Sequence, residues 1–433
     1  MSAALRSFEA QWRARSPDAL QPIRERAMQR FLKLGLPSLR DETWRYTDLR
    51  SVAAQSFGQA ACAGAPGVRT GSPASLVDAQ QHAATLAMIN GCPPERDQFP
   101  SINGIEINKI SDLSKDNSHI VQRFLGAASD AEQRRWLLLN TALFIDGLYV
   151  KITGSVAEPL VIQHVSSGDQ AQAAHPRVIL DVAPGARAII IEHHLTQDEA
   201  APLSNSNTHI ALARDARLEH YRVYASGANA THLDSLDIDQ AEGSECRQFT
   251  VALGGGLVRS SLEAKLSQPG ASLDSYSLLV GHQDRHVDCV NIVTHAAPDT
   301  RSRQTARAIA SDLSRVIFNS KVIVNPGAKN SDSKQSCRGL LLSPRAEIDT
   351  RPQLEIHADE VKCAHGATTG RLDPDMLFYL LSRGLERETA QSLLVYAFLA
   401  DVLTGMAVSS ARSAIENALI GQLPDSQTLR KFR

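Results

Sequence analysis

Aromatic residues are scarce in this chain of 433 residues, and charges of the two signs nearly balance. Phe, Trp and Tyr together make up 5% of the residues, and the formal net charge is −2. Single-stranded nucleic acid is typically bound by aromatic side chains in a basic groove, so this composition argues against such a binder. A nearly neutral chain also has no overall attraction to nucleic acid or anionic lipid. We therefore expect neither nucleic acid nor a membrane among the partners.

Long apolar runs and closely spaced cysteines are missing as well. No stretch approaches the roughly 20 apolar residues of a membrane-spanning helix, and the opening MSAALRSFEAQWRARSPDALQ lacks an apolar core of signal-peptide length. The cysteines form no CxxC pair and stand far apart: Cys62, Cys92, Cys246, Cys289, Cys337 and Cys363. This spacing is typical of reduced thiols rather than of a disulfide framework or a zinc knuckle. We expect a cytoplasmic protein, with Cys246, Cys289 and Cys337 in the core.

Several catalytic motifs are also absent. The sequence has no GxxxxGK[ST] phosphate-binding loop, no HExxH and no GxSxG, and its GGG at residues 254–256 lacks the spacing of a dinucleotide-binding loop. Adjacent His193 and His194 would face opposite sides of a strand, so we expect that they cannot chelate a metal together. The sequence therefore lacks a phosphate-binding loop for ATP and the catalytic motifs of these classes.

The first 135 residues are predicted to form a helical region with a linker. From Ala19 to Leu34 apolar residues recur at intervals of three and four, and Gly35 and Pro37 follow as stop signals. The charged stretch RDETWRYTDLR begins at Arg40. Gly, Ala and Pro then dominate residues 61–74, which is the composition of a flexible linker.

Short β-type runs separated by turn signals fill the middle of the chain. The turn sequences PGAR, RDAR, EGSE, PGAS, PDTR and PGAK begin near residues 184, 214, 242, 269, 298 and 326, about 28 residues apart. A fixed period in a strand-rich segment is typical of stacked coils. We predict a β-helix or β-solenoid core over residues 136–371, with a large β-sandwich as the alternative. Enzymes that cleave polysaccharides also use β-helices, so such an enzyme remains a competing functional class.

The last part of the chain, residues 372–433, is predicted to be a small helical domain. Asp373 is placed to cap a helix that begins at Pro374, and Gly384 is placed to end it. Two further helices are indicated by apolar residues at helical spacing around Leu394 and Ile415. We expect this domain to cover the open end of the solenoid, because a bare terminal coil is a template for aggregation.

Cys363 and His365 place a thiol and an imidazole one residue apart in the sequence. In an extended strand they would share one face with Glu355 and Asp359, and we expect that face to point outward. Thiolate and imidazole are ligands for iron, copper or zinc, but two ligands do not complete a site. The remaining ligands would have to come from another subunit or from a cluster's own sulfides. A buried cysteine beside a structural histidine is the alternative interpretation.

The stretch DEVKCAHGATTGRLDPDMLFYLLSRGLERETAQSLLVYAF resembles the C-terminal signature of the SufB/SufD family of iron–sulfur cluster assembly proteins. NSDSKQSCRGLLLSPRAEIDTRPQLEIHADE, ALFIDGLYVKI and EPLVIQHV are similar to the same family, and RDETWRYTDLR is similar to its SufD branch. The resemblance implies a mainly β fold. Its core would be a right-handed parallel β-helix between an N-terminal helical region and a C-terminal helical domain.

The resemblance also implies a function, partners and site residues. The chain would be a non-catalytic scaffold subunit of a SufBCD complex, with a transient iron–sulfur cluster shared with SufB at the end of the β-helix. His365 and Cys363 would take part in building that cluster. The SufC ATPase would bind the C-terminal helices through Leu377, Phe378, Leu394 and Phe398. The alternative is a purely structural adaptor for SufC. A terminal coil that pairs with SufB would also allow a homodimer of the isolated chain. The family resemblance also suggests a flavin as a cofactor, but this chain has no nucleotide-binding fingerprint to support it.

Overall fold

Strands dominate the computed structural model, which describes residues 2–62, 82–116, 118–126, 128, 134–167, 171–196 and 201–422. About 42% of the described residues are in strands and 25% are in helices. The strands form two long sheets, with helices near both ends of the chain. The predicted mainly β class is therefore confirmed.

Helices occur in the N-terminal part of the chain and after the last strand. Those in the N-terminal part are α1 (Ala3–Ala14), α2 (Gln21–Leu34), α3 (Arg50–Ala54), α4 (Ile110–Asp116), α5 (Ser118–Val121) and α6 (Arg135–Leu143). Those after the last strand are α7 (Pro374–Ser382), α8 (Arg387–Leu403) and α9 (Ser409–Ile420). α2 ends at Gly35, whose positive φ of 67° suits glycine, as the sequence predicted. Most of the predicted linker, from residue 63 onward, lies outside the described residues.

The strands number 21 within the described residues, and they alternate between the two sheets along most of the chain. In chain order they are β1 (Gly58–Gln59), β2 (Ala84–Ile89), β3 (Ile105–Lys109), β4 (Leu148–Ile152), β5 (Leu160–Ser166), β6 (Gln172–Ala174), β7 (Arg177–Val182), β8 (Arg187–Thr196), β9 (Leu203–Ser204), β10 (Asn207–Leu212), β11 (Arg217–Tyr224), β12 (Thr231–Gln240), β13 (Glu245–Ala252), β14 (Leu257–Leu266), β15 (Ser272–Gly281), β16 (His286–His295), β17 (Arg301–Ala310), β18 (Arg315–Val324), β19 (Asp332–Leu341), β20 (Glu347–Ile356) and β21 (Lys362–Gly370).

The two sheets wind into a parallel β-solenoid of about seven turns. Sheet A has the order β3-β4-β7-β10-β12-β14-β16-β18-β20, and sheet B has the order β2-β5-β8-β11-β13-β15-β17-β19-β21. Neighbouring strands along each solenoid sheet are parallel, apart from the antiparallel pair β3 and β4. Paired residues stand one period apart, as Asn207 and Ser235 do. The predicted period is therefore confirmed and the sandwich alternative is wrong. The handedness of the winding stays a prediction.

Each predicted turn lies where the chain passes from sheet A to sheet B. The second residue of every one has a left-handed backbone, with φ between 56° and 83°: Gly185, Asp215, Gly243, Gly270, Asp299 and Gly327. Glycine adopts this conformation without steric cost, and aspartate tolerates it better than most residues. The recurring Gly or Asp is therefore the local reason why the chain reverses once per coil.

The C-terminal helices pack on the outer face of sheet B instead of on the end of the solenoid. Tyr221, Phe249 and Tyr276 stack there with ring centroids 4.8 Å apart, one aromatic ring per coil. Buried apolar residues of α8 and α9, among them Leu399 and Ile415, join this ladder in one hydrophobic cluster. The expectation of a helical cap over the open end was wrong, because the apolar surface that these helices cover lies along the side of the solenoid.

The N-terminal segment containing RDETWRYTDLR packs across the outer face of sheet A. Trp44 is buried, with the guanidinium of Arg259 3.9 Å above its ring. Glu42 forms an ion pair with Arg351 of β20 at 2.6 Å. This segment therefore contacts successive coils as far as the last strand of sheet A.

One cysteine pair departs from the sequence-based expectation. Cys62 and Cys92 form a disulfide with a Cα–Cα distance of 5.5 Å, so the expectation that all six thiols are reduced was wrong for these two. The remaining thiols are free, and Cys246, Cys289 and Cys337 are buried as expected. Burial raises the pKa of each of these three thiols to about 12.

The borders of the three predicted regions, 1–135, 136–371 and 372–433, stay a prediction. The first strands of the two sheets, β2 and β3, come from the chain before residue 136. Both sheets thus begin with strands that follow the first N-terminal helices.

Candidate functional site

The solenoid ends in an open coil made of β20 and β21. Within the described part of the chain, β20 pairs only with β18, and β21 only with β19. One edge of each strand therefore carries backbone N–H and C=O groups without a strand partner. Edges of this kind are able to pair with another chain.

Cys363 and His365 lie in β21 and face the inside of the solenoid. They pair in register with Ser333 and Gln335 of β19, whose side chains are buried. Cys363 also packs against the hydrophobic cluster in the interior. The expectation that this pair faces outward was therefore wrong.

The physical reason for this error is a turn between β20 and β21. Glu360 has a positive φ of 58°, and the residues before it do not continue a strand. Glu355 therefore belongs to sheet A, whereas Cys363 belongs to sheet B. The predicted single face with Glu355 and Asp359 does not form.

The two side chains differ in exposure although they share one face. Cys363 is half-buried, and His365 is exposed because no further coil covers it. Partial burial raises the pKa of the Cys363 thiol above its ordinary value, and a backbone contact from Ser333 offsets this only in part. The thiol is thus held in its protonated form near neutral pH until a metal or a base removes the proton.

A ladder of buried polar side chains lies directly below the pair. The hydroxyls of Ser302 and Ser333 are 2.9 Å apart, and Ser302 is also 2.9 Å from Nε2 of His295. Gln335 donates a hydrogen bond to Ser320 of sheet A. These contacts fix the coil on which Cys363 and His365 sit, so the pair is presented from a rigid surface.

The four residues predicted to contact an ATPase have different surroundings. Phe378 is 71% exposed on α7, whereas Leu377 is half-buried and lines a groove of about 790 Å³ between the C-terminal helices and sheet B. Leu394 is half-buried on α8. Phe398 packs against the hydrophobic cluster under α8, with the Arg307 guanidinium 5.9 Å from its ring. Phe378 is thus the residue of the four that is most available to a partner.

A second polar group, which sequence reasoning missed, lies buried inside the earlier coils. Glu192 accepts hydrogen bonds from Thr208 at 2.7 Å and from His164 and His220 at 2.8 Å, and Arg222 lies 3.4 Å away. The burial of this carboxylate would raise its pKa, but these donors hold the pKa well below its ordinary value. The period of about 28 residues could have indicated this contact from the sequence, because Glu192 and His220 are 28 residues apart and therefore lie in adjacent coils.

His193 and His194 face opposite sides of β8, as predicted. The His194 ring stacks on His164 at 4.4 Å and on Tyr224 at 4.8 Å inside the solenoid. His193 belongs to neither group of convergent ligand atoms that the described residues contain. His194 instead belongs to both groups, together with potential metal ligands from other coils. The sequence did not indicate that these residues meet.

Comparison with known proteins identifies the family of this chain. Residues 164–398 match the family model described as SUF system FeS cluster assembly, SufBD core domain, and residues 5–163 match the SufBD protein N-terminal region. The iron–sulfur cluster assembly protein SufD of Escherichia coli is 30% identical over 403 residues, which cover 91% of this chain and 90% of that protein.

Two relatives with lower identity also match over most of the chain. An iron–sulfur cluster assembly SufBD family protein of Synechocystis is 27% identical over 89% of this chain and 87% of its own length. SufD of Bacillus subtilis is 22% identical over 80% of each chain. Among the described residues, no helix is long and apolar enough to cross a membrane. This chain belongs to the SufB/SufD family of iron–sulfur cluster assembly proteins.

Proposed function

We propose that this chain is a non-catalytic scaffold subunit that builds a nascent iron–sulfur cluster together with SufB at the open end of its solenoid. The observation that carries the proposal is that Cys363 and His365 share one face of the last strand, next to two strand edges without partners. A ligand pair at an open edge suits a cluster that forms between two chains. The cluster would be the cargo of the assembly process, built between the two chains and then passed on.

The donor atoms of the pair suit such a cargo. Thiolate sulfur is the usual ligand of iron–sulfur clusters, and imidazole nitrogen replaces it in some of them. Because the pKa of Cys363 is raised, cluster binding would have to release its proton. Since clusters generally have about four protein ligands, SufB would supply those that this chain lacks.

The open edges support an end-to-end contact with SufB. β20 and β21 extend over 10 and 9 residues, long enough for a partner's strands to continue both sheets. A second copy of this chain could occupy the same edges in isolation, so a homodimer that SufB dissociates is part of the proposal. Closure of SufC upon ATP binding would then shift this interface between closed and open states.

Replacement of His365 tests the proposal. The chain is produced together with SufB and SufC of its own organism as wild type, His365→Ala and the control His357→Ala, and each complex is purified without oxygen. His357 is also exposed and lies in the turn before β21. We expect intact complexes throughout and loss of iron, sulfide and visible absorbance for His365→Ala alone. An intact His365→Ala complex with a full cluster would refute the cluster role and leave a purely structural adaptor.

We further propose that SufC binds the exposed apolar face of α7. Met376, Phe378 and Tyr379 are 58%, 71% and 57% exposed, and apolar side chains grouped in this way are typical of protein contacts. Phe378→Asp should abolish copurification of SufC without unfolding the chain. Leu313→Asp, at a residue 51% exposed in a solenoid turn, is the matched control. Retention of SufC by Phe378→Asp would exclude this face as its contact.

A further inference from the structure

Three potential metal ligands meet inside the solenoid, well away from the open end. They are His194 of β8 and His232 and Asp234 of β12, and all three side chains are at most 2% exposed. β8 is separated from β21 by six strand spacings of sheet B. At about 4.8 Å per spacing this is roughly 29 Å. The group is therefore separate from Cys363 and His365.

Asp234 has one oxygen that is satisfied and one that is not. Oδ1 accepts a hydrogen bond from the Ser206 N–H at 2.8 Å. Oδ2 has no hydrogen-bond partner among the described residues, and it lies 3.8 Å from Nδ1 of His194 and 3.8 Å from Nδ1 of His232. A fully buried carboxylate oxygen without a donor is costly, so a ligand at this position would be stabilising.

The tautomer of His232 follows from its contact with Ser226. The Ser226 hydroxyl donates to the backbone carbonyl of His194 at 3.3 Å, so its oxygen is free to accept from Nε2–H of His232 at 2.9 Å. Nδ1 of His232 then carries a lone pair directed toward Asp234. Two acceptors thus face each other in the interior, an arrangement that calls for a cation or a proton donor between them. A histidine whose second nitrogen donates to an outer partner is also typical of metal sites.

The neighbouring carboxylate does not compete for the same role. Glu192 already accepts from His164, Thr208 and His220, and Arg222 forms its ion pair with Glu192 at 3.4 Å. Arg222 is close enough to lower the pKa of Asp234, but no hydrogen bond joins the two in the described structure. One guanidinium therefore faces two carboxylates, and the charge of Asp234 lacks a partner of its own.

We propose that His194, His232 and Asp234 bind one divalent first-row transition metal ion. Two imidazole nitrogens and one carboxylate oxygen form the donor set of many iron(II) and zinc sites, with one or more positions left for water. Ligand atoms around a tetrahedral zinc ion are about 3.3 Å apart, given metal–ligand bonds near 2.0–2.1 Å. The 3.8 Å separations thus need a contraction of about half an ångström. The metal ion would stay bound inside the solenoid, and this site does not depend on the proposed cluster role.

Metal uptake by the full-length chain tests the proposal. The purified protein is stripped with a chelator, titrated with Co²⁺ while visible absorption is followed, and separately loaded with Zn²⁺ for elemental analysis after gel filtration. The variants are Asp234→Asn and His232→Gln. The control is His209→Gln, which removes a histidine that pairs with Asp239 at 3.0 Å outside this group.

We expect one bound metal per wild-type chain, a Co²⁺ spectrum typical of four or five ligands, and a rise in melting temperature on loading. His209→Gln should behave like the wild type, whereas Asp234→Asn and His232→Gln should bind no metal. Asp234→Asn should still fold, because the amide can donate to Nδ1 of His232. A folded wild-type chain that takes up neither ion, or a folded Asp234→Asn chain that binds as the wild type does, would overturn the proposal.

Discussion

The attachment of the C-terminal helices to sheet B gives a prediction that separates the observed fold from an end cap. Leu399 of α8 is fully buried in the cluster that includes Tyr221 and Phe249 of sheet B. Leu394 lies on the same helix but is half-buried and outside that cluster. Leu399→Ala should therefore loosen the contact between α8 and sheet B, and Leu394→Ala should leave it nearly unchanged.

The magnitude follows from the groups that the substitution removes. Leu→Ala deletes three carbon atoms, about 2.4 kcal/mol of transfer free energy if all are buried, and the cavity left behind brings typical losses to 2–5 kcal/mol. We expect Leu399→Ala to lower the free energy of unfolding by about 3 kcal/mol. The half-buried Leu394 should lose about 1 kcal/mol or less. A loss of 3 kcal/mol corresponds to exchange-competent opening that is roughly 100-fold more populated.

The assay combines urea unfolding with hydrogen exchange followed by mass spectrometry. Leu399→Ala should speed exchange in α8 and in β15 and β17, which lie under it, while β20 and β21 keep wild-type rates. If Leu399→Ala and Leu394→Ala differ by less than about 1 kcal/mol, or if the faster exchange appears in β21, the packing described here is incorrect.

Two further predictions concern carboxylates. Arg135 donates to Asp41 at 2.7 Å and holds its pKa at about 2, below the ordinary 3.8; the stabilisation is thus complete above pH 4 and lost as the pH falls through 2. Asp41→Asn should cost up to about 1 kcal/mol in urea unfolding at pH 6 and only a small part of that at pH 2, where about half of the native carboxyl is protonated, and an equal cost at both values would contradict the assignment. Glu192→Gln leaves Arg222 without its buried partner and should cost about 3–5 kcal/mol. Glu245→Gln, in an exposed ion pair, should cost less than about 0.5 kcal/mol, and similar losses for the two variants would count against the buried network.

The repeating part of the fold could be predicted because its signals are local and periodic. Gly and Asp at the second turn position need no knowledge of distant residues, and the Asp373 side chain caps α7 as the sequence indicated. The direction of Cys363 could not be predicted in the same way. It depends on a left-handed Glu360, and glutamate is not a residue that marks such a turn.

The positions of the helices and of the buried ligands depend on contacts between distant residues. The outer face carries Tyr221, Phe249 and Tyr276. Along the strands it shows the same alternation of apolar and polar residues as an inner face. The sequence alone therefore did not show which surface the C-terminal helices cover. His194 and Asp234 are 40 residues apart, which is not one period. Their meeting results from the way the chain turns between the two sheets.

The most direct test of the cluster role asks whether His365 binds the cluster itself. The chain is labelled with ¹⁵N-histidine, assembled with unlabelled SufB and SufC, loaded with iron and sulfide, reduced, and examined by pulsed electron paramagnetic resonance. A ¹⁵N coupling to the cluster that persists in His357→Ala and disappears in His365→Ala is the predicted result. A cluster of normal yield without any ¹⁵N coupling in the wild-type complex would contradict the account.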